Sequence, residues 1–110
     1  VNAYRADDRV LLLAIPPEQE LAALARLLMR GVVVALGTAE EVAEAGSRFV
    51  EFNNVMLLDA APDHIPWRAA GFTKIVVPHQ YERILPHLAG ELARVLAPGG
   101  EIIHNSVSLS

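Results

Sequence analysis

Apolar residues in this chain gather in short unbroken runs, and the stretches between the runs carry apolar residues at helical spacing. The runs lie in Arg9–Ile15, Val32–Leu36, Asn54–Leu58, Thr73–Val77 and Glu101–Val107. Continuous rather than alternating apolar positions, each run too short for a helix, predict strands buried on both faces of a parallel sheet. After the first run, Leu21, Leu24, Ala25 and Leu28 recur at helical spacing. Pro17 suits the first turn of that helix, and Gly31 ends it. Thr38 followed by Glu41 is a capping box for a short helix that stops near Gly46. A third helix is predicted near Leu85–Leu96, with Pro86 tolerated in its first turn. A loop with Pro62, Pro66 and Trp67 follows Asp59 and has room for one helical turn, and Pro98-Gly99-Gly100 reads as the turn into the fifth strand. Five strands with helical crossovers predict an α/β fold, a three-layer α/β/α sandwich around a mainly parallel sheet.

Size and composition narrow this picture. At 110 residues the chain is read as a single domain spanning 1–110. A hydrophobic content of 53% and a mean hydropathy of +0.33 exclude disorder. No apolar run approaches the roughly 18–20 residues of a membrane span, so no membrane is expected as a partner. No basic leader precedes an apolar region, so no secretory signal is expected. The absence of cysteine excludes disulfides, thiolate metal sites and thiol nucleophiles, and fits a reducing, cytoplasmic setting. The net charge of −4, with nine Lys and Arg residues scattered singly, argues against nucleic acid as a partner.

The chemistry begins at Val10–Glu18. In an α/β sheet the first strand-to-helix turn is where phosphates and nucleotides normally lie, held by backbone N–H groups that glycines let the ligand approach. Here the turn has no glycine, Pro16 and Pro17 carry no N–H, and Glu18 and Glu20 put negative charge where an anion would sit. Four histidines, His64, His79, His87 and His104, include no pair at i, i+4 ligand spacing. His64 and His79 fall at the carboxyl edge of the sheet, where a zinc site is the lesser reading, and no metal site is expected. Ser106, Ser108 and Ser110 lack a nucleophile elbow and read as exposed strand or tail. Trp67 reads as a plug of its loop against the sheet, Tyr81-Glu82-Arg83 as a solvated helix entrance, and Asp59 as an acid capping the turn that follows it.

Four segments in register carry a family resemblance over roughly residues 9–107. Leu92-Ala-Arg-Val-Leu-Ala-Pro-Gly-Gly100 resembles the segment before the fifth strand of class I S-adenosylmethionine-dependent methyltransferases. Phe72-Thr-Lys-Ile-Val-Val77 is similar to that family's fourth strand. Asp59-Ala60 with Ile65-Pro66-Trp67 is similar to its loop after the third strand, and the spacing from the first strand to the second suits it without a gap. The resemblance implies a Rossmann-like five-stranded sheet in the order 3-2-1-4-5. It also implies cofactor-binding positions at Asp59, Ala60 and Ile65, if a cofactor is held at all, with Asp59 matching the acid that often contacts the adenine amine. No catalytic residue follows from it.

The departures from the family shape the functional expectation. Its loop glycines align with Ala14, Pro16 and Glu18, and its ribose-binding acid aligns with Gly37. The antiparallel strand pair that completes the family's sheet has no counterpart after Ser110. Each lost N–H donor to a charged ligand costs about 1.5–3 kcal/mol. With added steric exclusion and carboxylate repulsion, about three to five orders of magnitude of affinity are removed. The expectation is a degenerate methyltransferase-like domain that takes no cofactor by the usual route and acts as a scaffold or interaction module. Its fifth strand, apolar at Ile102, Ile103, Val107 and Leu109, would then be an edge open to self-association or to a protein partner. The alternative is a divergent methyltransferase using S-adenosylmethionine around Asp59 and Ile65–Trp67, where alignment rather than a visible base would drive transfer. A receiver-like domain is a minor alternative, since Asp59 closes the third strand. It lacks the acids after the first strand, the hydroxyl residue after the fourth and the lysine closing the fifth that such a domain needs.

Overall fold

A computed structural model describes residues 4–104. Its elements are β1 (Arg9–Leu12), α1 (Glu18–Leu27), β2 (Val32–Gly37), α2 (Ala39–Gly46), β3 (Val55–Asp59), β4 (Phe72–Val77), α3 (Leu85–Val95) and β5 (Leu96–His104). Short 3-10 helices at Ser47–Phe49 and His79–Ile84 complete the set. All strand pairs are parallel and the order is β3-β2-β1-β4-β5, as the resemblance implies. A receiver-like sheet of the doubly wound 2-1-3-4-5 type has a different order, so that minor alternative is overturned.

The unbroken apolar runs do what continuous runs require, feeding both faces of the sheet. Leu11, Leu13, Val34, Leu36, Phe72, Ile75 and Val77 pack with Leu88, Leu92 and Val95 of α3. Val10, Leu12, Val33 and Ala35 turn the other way, against Leu21 and Ala25 of α1, its C-cap Leu28 and Ala45 of α2. Two helices thus cover one face and α3 the other. Among the described residues no helix lies over β4 and β5 on the α1 side.

Several boundaries differ from expectation for definable reasons. β1 pairs only to Leu12, three residues short of Ile15, because the chain leaves the sheet to enter the Pro16–Pro17 turn; Leu13 N–H still donates to Val76 O at 3.3 Å. Pro17 is the N-cap rather than the first helical residue. The capping box at Thr38 and Glu41 is present, with Glu41 N–H donating to Thr38 Oγ1 at 3.1 Å and Thr38 N–H to Glu41 Oε1 at 2.8 Å. The loop after β3 holds no helical turn, only a bridge between Ala61 and His64.

The largest departure is at β5. Pro98-Gly99-Gly100 does not precede the strand but lies inside it. Phe72 pairs with Leu96 and Lys74 with Glu101, so the ladder is interrupted while Ala97–Gly100 bulges out. Gly99, at φ +81°, takes the left-handed conformation that the bulge needs. The predicted end of this strand, beyond His104, falls outside the described residues, as do Val107, Leu109 and the C-terminal serines.

One polar group is buried at the amino edge. Asp8, 4% exposed, accepts hydrogen bonds from Arg5 N–H at 2.7 Å and Thr73 Oγ1 at 2.8 Å, and lies 3.5 Å from Lys74 Nζ. Burial opposes its ionisation, but the Arg5 amide, the Thr73 hydroxyl and the Lys74 ammonium outweigh that and hold its carboxyl below the usual range.

Candidate functional site

The carboxyl ends of the strands converge on two cavities that share Leu13, Ala14 and Gln80. The first, about 680 Å³, lies where β1 and β4 meet α1. The second, about 480 Å³, sits over the ends of β1, β2 and β3, the place where ligands enter a doubly wound sheet. Its polar lining is Thr38, Glu41, Asp59, Gln80 and Tyr81.

Asp59 and Ala60 both reach this second cavity. Asp59 is exposed and its carboxylate has no hydrogen bond or ion pair among the described residues, so it is not the turn-capping acid expected. The turn is instead held by Ala60 N–H donating to Gly37 O at 3.2 Å. Ile65 is placed differently. It is 2% exposed, packs in the α3-side core and does not line either cavity. Its backbone is clamped to α3, with Ile65 N–H donating to Glu91 Oε2 at 2.6 Å and Arg94 donating to Ile65 O at 2.7 Å and Trp67 O at 2.8 Å. Hydrogen bonds from Arg94 and from the Ile65 amide hold the Glu91 carboxyl down to about 2. Trp67 plugs the loop as expected, its ring stacked on Phe72 at 5.2 Å between centroids, while its Nε1–H is buried with no acceptor among the described residues.

The turn between β1 and α1 meets the end of β2 through one contact. A methyl group built on Gly37 would come within 2.8 Å of Ile15 Cδ1 and 3.2 Å of Glu41 Oε1. The room above Gly37, where a side chain from the end of β2 would project, is therefore taken by Ile15 from the first turn and by the capping carboxylate of Glu41. Pro16 and Pro17 follow at once, and neither offers an N–H to the space in front of α1.

Sequence reasoning missed four polar members of the cavity wall, Thr38, Glu41, Gln80 and Tyr81. Glu41 and Thr38 were read only as a helix cap, yet both line the cavity. Tyr81 is half-buried and packs on the α3-side core rather than standing at a solvated entrance, because the chain after β4 forms a 3-10 helix across the sheet edge. The available signal was position, since residues just after the carboxyl end of β4 must border any ligand over that edge. His79 and His104 flank Glu82 at 3.8 and 3.7 Å, while His64 lies beside Glu91 instead. No group of three metal-ligating side chains forms among the described residues.

No protein-family model matches this chain, and no curated protein matches it by sequence. Solved structures do match it. A SAM-dependent methyltransferase from Aquifex aeolicus superposes with a TM-score of 0.74 at 21% identity, over 88% of this chain and 54% of that one. The fold is methyltransferase-like. The same domain shape occurs in fibrillarin in its complex with Nop5p, at a TM-score of 0.73 and 21% identity over 92% of this chain and 50% of that one. It occurs also in the cyclase SpnF, at 0.76 and 20% identity over 92% and 39%. This methyltransferase-like chain thus spans about half the length, or less, of the structures that share its fold. Among the described residues no helix is long and apolar enough to cross a membrane.

Proposed function

We propose that this methyltransferase-like domain, read as one unit over 1–110, works as a scaffold or interaction module rather than by holding S-adenosylmethionine in the usual mode. The observation that carries this reading is the contact of Ile15 with Gly37. The cofactor's ribose and amino-acid end would need an acid at the end of β2 and free N–H groups in the first turn. The chain instead has Ile15 packed over a glycine, followed by two prolines. The residues do not fit that group, so no catalytic step is derived through it. The fold's presence in the fibrillarin–Nop5p complex supports a role in protein assembly. So does the edge position of β5, which has β4 as its one partner among the described residues and carries Ile102 and Ile103. The setting proposed is the cytoplasm.

Calorimetric titration with S-adenosylmethionine and S-adenosylhomocysteine tests the first claim. No heat at micromolar to submillimolar ligand is expected, and micromolar binding would overturn the reading. Light scattering tests the edge, where a strict monomer at tens of micromolar removes self-association through β5.

One observation favours a second reading, in which a nucleoside is held at Asp59. Its carboxylate has no hydrogen bond or ion pair among the described residues and lines a cavity of about 480 Å³, large enough for such a ligand. Adenosine binding that Asp59→Asn abolishes, with no binding of S-adenosylmethionine, would support that reading and leave the first intact. Binding of both would favour a divergent methyltransferase.

A further inference from the structure

The larger cavity has a chemistry of its own. Its walls are Leu12, Ile15, Pro16, Leu24, Leu27 and Val76, with Tyr4, Glu20 and Gln80 as polar groups and no cationic side chain among the described residues that line it. At about 680 Å³ it lies within the range of small-molecule sites, which are mostly apolar with a few placed polar groups. Glu20, exposed in the first turn of α1, has no hydrogen bond or ion pair among the described residues. Pro16 and Pro17 carry no N–H of their own and add apolar wall ahead of α1. What the lining offers a ligand is mostly hydrocarbon, the polar groups of Tyr4 and Gln80, and one carboxylate.

We propose that this cavity binds a small apolar amine, its hydrocarbon lying between α1 and β4 and its ammonium at Glu20. Apolar burial supplies affinity, and the single carboxylate selects the head group. The proposal uses neither the Asp59 cavity nor the edge of β5, so it stands independently of the scaffold reading.

The probes are n-octylamine, n-octanol and octanoate, which share one chain length and differ in head charge. They are titrated into the full chain and followed by amide chemical shifts. The expected order is amine, then alcohol, then acid, with shifts centred on Ala23, Leu27 and Val76. The amine's advantage over the alcohol should be about fivefold, the scale of one solvent-accessible ion pair. Glu20→Gln should remove that advantage while leaving octanol binding unchanged, which separates the charge from any effect on folding. Ala23→Phe, which places a ring at the mouth, should weaken all three. Octanoate binding as tightly as octylamine would overturn the proposal, as would an unaltered order in Glu20→Gln, shifts centred elsewhere, or no binding up to the solubility limit.

Discussion

Asp8 offers the sharpest test of how this fold is held together. Replacing it by Asn keeps its shape and leaves a carbonyl oxygen to accept from the Thr73 hydroxyl or the Arg5 amide, but removes the charge facing Lys74. Lys74 is itself only 12% exposed at its side chain, so its ammonium would be left in a largely buried position. Breaking a buried pair costs about 3–5 kcal/mol. Glu101, 3.7 Å from the same ammonium but mostly exposed, offsets part of this, so the lower end, about 3 kcal/mol, is expected. For a domain of this size that lowers the melting temperature by about 10–20 °C. The pH dependence fixes the cause. The folded carboxyl is held below its usual value of 3.8, so its stabilisation is complete above that pH and is lost as pH falls through the folded value. Urea unfolding of both proteins from pH 7 to pH 2 should show a gap that is constant at neutral pH and narrows below pH 3.8. A variant within about 0.5 kcal/mol of the parent at pH 7, near the ordinary scatter of surface substitutions, would refute the assignment. So would a gap that does not change with pH.

Four further outcomes concern the loop between β3 and β4 and the Glu91 of α3 that clamps it. Trp67→Phe removes a buried N–H that has no acceptor while keeping the stack on Phe72, so calorimetry should find it no less stable than the parent to within about 1 kcal/mol. Trp67→Ala should lose about 3–5 kcal/mol. Glu91→Gln should destabilise the chain above pH 4.5, and the difference should fade as pH falls from 4.5 toward about 2 in acid unfolding curves, because the folded carboxyl is depressed. Ala70 sits at φ +58°, and Ala70→Gly should gain about 0.5–1 kcal/mol in urea unfolding, the strain relieved exceeding the entropy glycine adds to the unfolded chain.

The strands that were plain in the sequence are those buried on both faces. Val33 to Leu36 contribute to both helix layers in turn, and no polar residue can interrupt such a run without facing a core. The capping box was equally plain, since Thr38 and Glu41 satisfy each other's backbone at fixed spacing with no help from the rest of the fold. What stayed hidden was settled by contacts distant in sequence. No local signal marks Asp8, because its partners Thr73 and Lys74 are 65 and 66 positions away, on a strand that only the sheet order brings beside it. Pro98-Gly99-Gly100 has the composition of a turn, and a turn-like excursion does form there. The pairing of Leu96 with Phe72 places it within the strand instead of ahead of it.

The same distinction governs the candidate site. Prolines in the first turn could be read locally as a loss of N–H donors, and the acid missing at the end of β2 as the loss of a partner for a ribose. That Ile15 of this turn lies against the end of β2 at Gly37 could not be read locally. Ile15 Cδ1 and Glu41 Oε1, the outer ends of two side chains, lie where a side chain at position 37 would project, so they would have to shift to admit one. Restoring an acid by Gly37→Asp alone would press it onto Ile15 and set it beside Glu41 and across the register from Asp59, a crowding of three carboxylates.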